Sequence, residues 1–111
     1  MIMKTYTYLA LGDSYTIGEQ VPLFESFPYQ TVQKLRALSN EFLIGAPEIV
    51  AKTGWTTDEL ASAIEQTVFL PAYDFVSLLI GVNNQYRGRA VDEFEKEFES
   101  LLKRAIQFAG G

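Results

Sequence analysis

The nonapeptide Tyr6-Thr7-Tyr8-Leu9-Ala10-Leu11-Gly12-Asp13-Ser14 decides how the rest of the chain is read. Its first six residues are aromatic, β-branched or aliphatic and carry no charge, and they stop at a glycine followed by two turn-forming residues. A short uncharged run closed in this way reads as a buried strand, Tyr6 to Leu11, with a polar loop at its carboxyl end. Asp74 to Ile80 repeats the pattern as Asp-Phe-Val-Ser-Leu-Leu-Ile and closes on Gly81. A weaker strand signal, Glu48 to Ala51, follows Pro47.

Helical signals fill the gaps. Ser26 stands before a pattern with Pro28 in its first turn and Val32, Leu35 and Leu38 at helical spacing. Thr56-Thr57-Asp58-Glu59 is a capping box, and Leu60, Ala61 and Ile64 share a face that Val68 extends toward Pro71. The last helix has an apolar stripe of Val91, Phe94, Phe98, Leu101, Leu102, Ala105 and Phe108, which reads as core. Asp92 and Glu93 suit its first turn, Lys103 and Arg104 its later turns, and Gly110 its end, with Asp92/Lys96 and Glu99/Lys103 as surface pairs.

The order β-α-β-α-β-α predicts an α/β fold in which right-handed crossovers join parallel strands. Strands buried on both faces need helices on both faces, so the expectation is a three-layer, flavodoxin-like sandwich with strand order 2-1-3. Residues 1–111 read as a single domain without linker or repeat. Three strands are few for such a sheet, so the expected domain is incomplete, truncated before its last strands.

Composition narrows the chemistry. The 111 residues are 48% hydrophobic and 21% charged, which excludes disorder. There is no Cys and no His, so disulfides, thiol nucleophiles and the commonest metal ligands are excluded, and no metal site is expected. A formal charge of −5 opposes phosphate backbones, so no nucleic-acid partner is expected. No run of about 18 apolar residues predicts a membrane span. The segment Met1 to Leu11 lacks the features of a signal peptide, making a cytoplasmic location the default expectation.

In an open parallel sheet, binding loops lie beyond the carboxyl ends of the strands. Three are readable: Gly12-Asp13-Ser14-Tyr15-Thr16, Thr53-Gly54-Trp55-Thr56 and Gly81-Val82-Asn83-Asn84. With order 2-1-3 and a strand spacing of about 4.8 Å, Ser14, Gly54 and Asn83 would share one crevice. Serine offers a hydroxyl nucleophile and its own amide N–H, glycine a second N–H at close approach, and asparagine a carboxamide donor; acyl transfer requires these groups. Each also has a plainer reading, as a turn, a bend or loop chemistry.

These blocks resemble those of the SGNH hydrolases, also called the GDSL esterase and lipase family. Gly12-Asp13-Ser14 matches the first block, Gly54 the second, and Gly81-Val82-Asn83 the third, with Asn84 where the family has aspartate. The resemblance implies Ser14 as nucleophile, and the Ser14 amide, the Gly54 amide and the Asn83 side chain as oxyanion hole. Gly12, Asp13, Gly81 and Asn84 are implied to support them. Its usual substrates are small carboxylic esters, acetylated sugars, thioesters or lysophospholipids. The family's Asp-x-x-His block, which supplies the base, has no counterpart in the 111 residues, so this chain alone is expected to be nearly inactive. Asp13 adjoins Ser14 in sequence, is too weak a base to replace it unless strongly buried, and is expected to hydrogen-bond the loop backbone instead.

Further expectations concern the rim. Trp55, Tyr86 and Arg87 are candidates to line the substrate site; alternatively, Trp55 covers a helix start, and Arg87 and Arg89 pair with Asp92 or Glu93. The open third strand predicts self-association or a complementing C-terminal segment. No cofactor is expected, since neither Gly-x-Gly-x-x-Gly nor a Walker loop occurs; Gly-x-Ser-x-Gly is also missing. The competing readings are a flavodoxin-like phosphate- or flavin-binding domain, based on Thr53-Gly54-Trp55-Thr56-Thr57, and a non-catalytic fragment.

Overall fold

A computed structural model describes residues 4–38 and 42–111 of the chain; Met1 to Met3 of the amino-terminal segment lie outside the described residues. The opening run forms β1 (Lys4–Tyr6) and β2 (Tyr8–Gly12), interrupted at Thr7. Opposite them lie β3 (Phe42–Ile44) and β4 (Glu48–Ala51), and the last strand is β5 (Phe75–Leu79). All pairings are parallel, in a three-stranded sheet β4-β2-β5 and a two-stranded sheet β1-β3. The expected order 2-1-3 is therefore present, with a short additional pair before it.

The break between the sheets has a local cause. Tyr6 opposes Ile44 and Leu9 opposes Glu48, so two residues on one side face the three residues Gly45, Ala46 and Pro47 on the other, a bulge. Proline has no N–H for the ladder. Thr7 turns instead to the other neighbour: its N–H donates to Asp74 Oδ2 at 2.9 Å, and its carbonyl accepts from the N–H groups of Asp74 and Phe75.

The helices among the described residues are α1 (Ser14–Ile17), α2 (Phe27–Leu38), α3 (Thr57–Gln66), α4 (Val82–Tyr86) and α5 (Val91–Phe108), with a 3₁₀ turn at Leu23–Glu25. β2 is buried on both faces, and its alternation distributes the core. Leu9 and Leu11 pack with Leu60 and Ile64 of α3 and Leu101, Ala105 and Phe108 of α5. Tyr8 and Ala10 face the other way, onto Val32 of α2 and Ile44. Helices thus cover both faces, as right-handed crossovers require. Each buried leucine contributes about 1.5–3 kcal/mol through apolar transfer.

Several sequence expectations are corrected at this level. Leu38 is exposed because it is the last residue of α2, and Val68 is 96% exposed because α3 stops at Gln66. Val91 begins α5 and is exposed, while Leu102 lies about 100° round the helix from Leu101 and only partly covers its flank. Ser26 precedes α2, but its buried hydroxyl has no hydrogen-bond partner among the described residues and does not cap the helix. Of the expected surface pairs on α5, Glu99–Lys103 forms at 3.3 Å, and Asp92–Lys96 is not among the ion pairs of the described residues. Among the described residues no helix is long and apolar enough to cross a membrane.

Candidate active site

Gly12 is in register with Ala51 on one side and Leu79 on the other, so β2, β4 and β5 end at one level. Neighbouring strands in a sheet lie about 4.8 Å apart, and the loops leaving these ends share one rim. The helix opened by Ser14 lies against β4. The three sequence blocks are accordingly neighbours in space.

In the first loop, Gly12 is required for space rather than for an unusual φ. A Cβ there would sit 2.1 Å from Thr16 Oγ1 and 2.7 Å from the Leu79 carbonyl oxygen. That tight crossing sends the chain directly from strand into α1. Asp13 caps the helix: Oδ1 accepts from the Tyr15 N–H at 3.0 Å, and its carbonyl accepts from the amides of Thr16 and Ile17. Burial pushes the Asp13 carboxyl above its ordinary value, with the Tyr15 amide opposing the shift. The Asp13 carboxylate thus serves the loop backbone. Ser14 is half-buried at the first position of α1, where a helix N–H has no intrahelical acceptor.

In the second loop, Gly54 has φ +84°, a left-handed conformation that favours glycine. None of the described residues accepts from its N–H. Its carbonyl accepts from Arg87 Nη2 at 2.7 Å. Trp55 is half-buried and packs on the α3/α5 side of the core. The capping box forms as read: the Thr56 N–H donates to Glu59 Oε1 at 3.1 Å, and the Thr56 hydroxyl lies within bonding distance of Asp58 and Glu59.

The third loop is tied to the second. Gly81 has φ +134°, and a Cβ would meet the Phe94 ring at 2.9 Å. It turns the chain from β5 into α4, which carries Asn83 and Asn84. Asn83 Nδ2 donates to the Trp55 carbonyl at 3.0 Å, adjoining Gly54. Asn84 is buried against α3: Oδ1 accepts from the Thr57 N–H at 3.0 Å and Nδ2 donates to Thr57 Oγ1 at 2.8 Å. The Thr57 hydroxyl in turn donates to Glu97 of α5.

The arginines differ from expectation. Arg87 pairs with Glu59 at 3.1 Å as well as with the Gly54 carbonyl, and Arg89 pairs with Asp58 at 2.5 Å. Neither pairs with Asp92 or Glu93, because the capping acids of α3 lie nearer to the loop. Arg87 is therefore a tie between loops, while Tyr86 is 90% exposed at the rim. The Thr56 hydrogen bonds, followed by the arginines, hold both acids below their ordinary values. Sequence reasoning missed Thr57, Asp58, Glu59 and Glu97 as loop ties; the acidic first turn of α3 opposite two arginines was the available signal.

The same ties bear on phosphate binding. At the start of α3 the amides of Thr56 and Thr57 are taken by Glu59 and Asn84, and two carboxylates stand beside them. Two of the amide donors a phosphate would need at this helix start are therefore already occupied. Among the described residues no three His, Cys, Asp or Glu side chains gather where they could hold a metal ion.

Residues 10–111 match the model of the GDSL-like lipase/acylhydrolase family. The chain belongs to that family. Solved structures with the same fold include AlinE4, an SGNH-hydrolase family esterase, at 23% identity and TM-score 0.73, covering 94% of this chain and 57% of that one. TesA superposes at 16% identity and TM-score 0.78, over 93% of this chain and 56% of that one. The psychrotrophic esterase EstA from Pseudoalteromonas sp., in a form inhibited by monoethylphosphonate, gives 19% identity and TM-score 0.69, over 94% and 55%. This GDSL-like chain thus spans little more than half the length of these structures. No curated protein sequence matches it.

Proposed function

We propose that this chain carries the nucleophile and oxyanion hole of a serine ester hydrolase. Ser14 Oγ attacks the ester carbonyl, and the developing oxyanion is met by the N–H groups of Ser14 and Gly54 and by Asn83 Nδ2. The observation that carries this reading is the Asn83–Trp55 hydrogen bond, which fixes the carboxamide beside Gly54 and uses one of its two amide hydrogens. The other hydrogen remains for substrate. Small carboxylic esters, acetylated sugars, thioesters and lysophospholipids are the candidate substrates.

The 111 residues contain no histidine, so in this reading a histidine base comes from outside them. Loss of a triad histidine costs about 10⁶ in turnover and leaves about 10³–10⁴ over water. The open edge of β5, with Phe75 and Leu79 exposed, and the neighbouring flank of α5 are the surfaces for a complementing segment or a second copy. The test is hydrolysis of nitrophenyl acetate by the chain and by Ser14→Ala, with and without imidazole. A small rate above background is expected, and imidazole should raise it beyond the protein-free imidazole rate only in the wild type. Identical behaviour of the two proteins would favour the non-catalytic reading.

A further inference from the structure

The departure from the family pattern at Asn84 has a counterpart on α5. Asn84 is buried, Thr57 is wholly buried and Glu97 is half-buried, and the three form a chain of side-chain hydrogen bonds behind Asn83. The direction of every bond in it is determined. The backbone N–H of Thr57 can only donate, so the Asn84 atom facing it is the carbonyl oxygen. The other atom is then the NH₂ group, which must donate to Thr57 Oγ1. With one lone pair of that hydroxyl occupied, its own proton goes to Glu97, whose carboxylate can only accept.

A carboxylate at position 84 would break this order. It could still accept from the Thr57 amide, yet it would compete with Glu97 for the single Thr57 hydroxyl proton. One of the two carboxylates would be left short of a donor and facing a like charge, in a site that is largely closed to water. An amide at 84 and an acid at 97 fit together, and so do an acid at 84 and an amide at 97.

We propose that Asn84, Thr57 and Glu97 act as a matched positioning unit, in which the carboxamide at 84 requires the carboxylate at 97 and together they hold the Asn83 loop against α3. This rests on the reading of Asn83 as an oxyanion donor. Asn84 adjoins Asn83 on the short helix α4, and Thr57 follows Thr56 at the start of α3, next to the Gly54-Trp55 loop to which Asn83 bonds. Glu97 brings the middle of α5 into the support of the rim.

The test is a swap, Asn84→Asp, Glu97→Gln and the pair together, read by urea unfolding and by the rate at which a nitrophenyl phosphonate labels Ser14. Asn84→Asp alone is expected to lower the folding equilibrium constant about tenfold or more and to slow labelling. In the double variant the new carboxylate at position 84 takes the Thr57 proton and the new carboxamide at position 97 donates to Thr57 Oγ1, so both quantities should return to within about threefold of wild type. A double variant as impaired as Asn84→Asp, or Asn84→Asp indistinguishable from wild type, would overturn the matched unit. Recovery of stability with labelling unmoved throughout would reduce it to a purely structural contact and overturn the positioning role. If wild-type Ser14 takes no label, the esterase reading fails instead, and the unfolding arm still decides whether 84 and 97 are coupled.

Discussion

Two glycines of the rim are constrained for different reasons, and their alanine variants separate these. Gly12→Ala places a methyl group against the Leu79 backbone, which cannot move without shifting β5, so a loss of about 1–3 kcal/mol or more is expected in urea unfolding. Gly81→Ala meets only the Phe94 ring, which can yield, but must hold φ +134°, at a cost of about 1–3 kcal/mol. Shrinking the ring with Phe94→Leu should therefore leave the Gly81→Ala penalty largely in place. Asp13 makes a prediction in pH. Its carboxyl lies above the ordinary 3.8, so its contribution to stability is complete below that value and is lost as pH rises through the raised native value. Asp13→Asn keeps a side-chain oxygen for the Tyr15 amide, so its stability relative to wild type should improve from acid to neutral pH. An unchanging difference across that range would contradict the burial argument.

Among the elements, the start of α3 has the opposite linkage. Asp58 and Glu59 lie below their ordinary values of 3.8 and 4.5, so their stabilisation is present above those values and is lost as pH falls through the lowered native ones. Trp55, the single tryptophan, adjoins this turn, and its fluorescence should report the loosening. Arg87→Gln removes a charge that holds Glu59 down, so the acid transition should move to higher pH; an unshifted transition would place the arginine outside the tie. This element was legible because a capping box is a local pattern, as is the long stripe of α5. Val91 and Leu102 match that stripe equally well, yet periodicity cannot report where the sheet ends beneath the helix. α1, α4 and β3 escaped notice for a related reason: three to five residues are too few to establish a period, and tertiary contacts hold them. The three rim loops were readable from strand ends alone, whereas Glu97 was not, since nothing in the sequence tells which turn of α5 faces Thr57.

At the scale of the molecule, the sheet leaves one side of β5 unpaired among the described strands, with Phe75 and Leu79 exposed. We propose that this edge is covered in solution, and the 111-residue chain is expected to sediment above its monomer mass as concentration rises. Leu79→Lys should shift it toward monomer, because charged edge residues oppose strand addition; a wild-type monomer at all concentrations would contradict the expectation. The central claim concerns the rim at the carboxyl ends of the strands, where we propose that Ser14, Gly54 and Asn83 act together on an ester. Its most direct measurement is mass-spectrometric mapping of the adduct formed with a nitrophenyl phosphonate. The account predicts a slow adduct on Ser14, lost in Ser14→Ala and slowed about a hundredfold in Asn83→Ala. An adduct on any other residue, or equal rates with and without the Asn83 carboxamide, would contradict it.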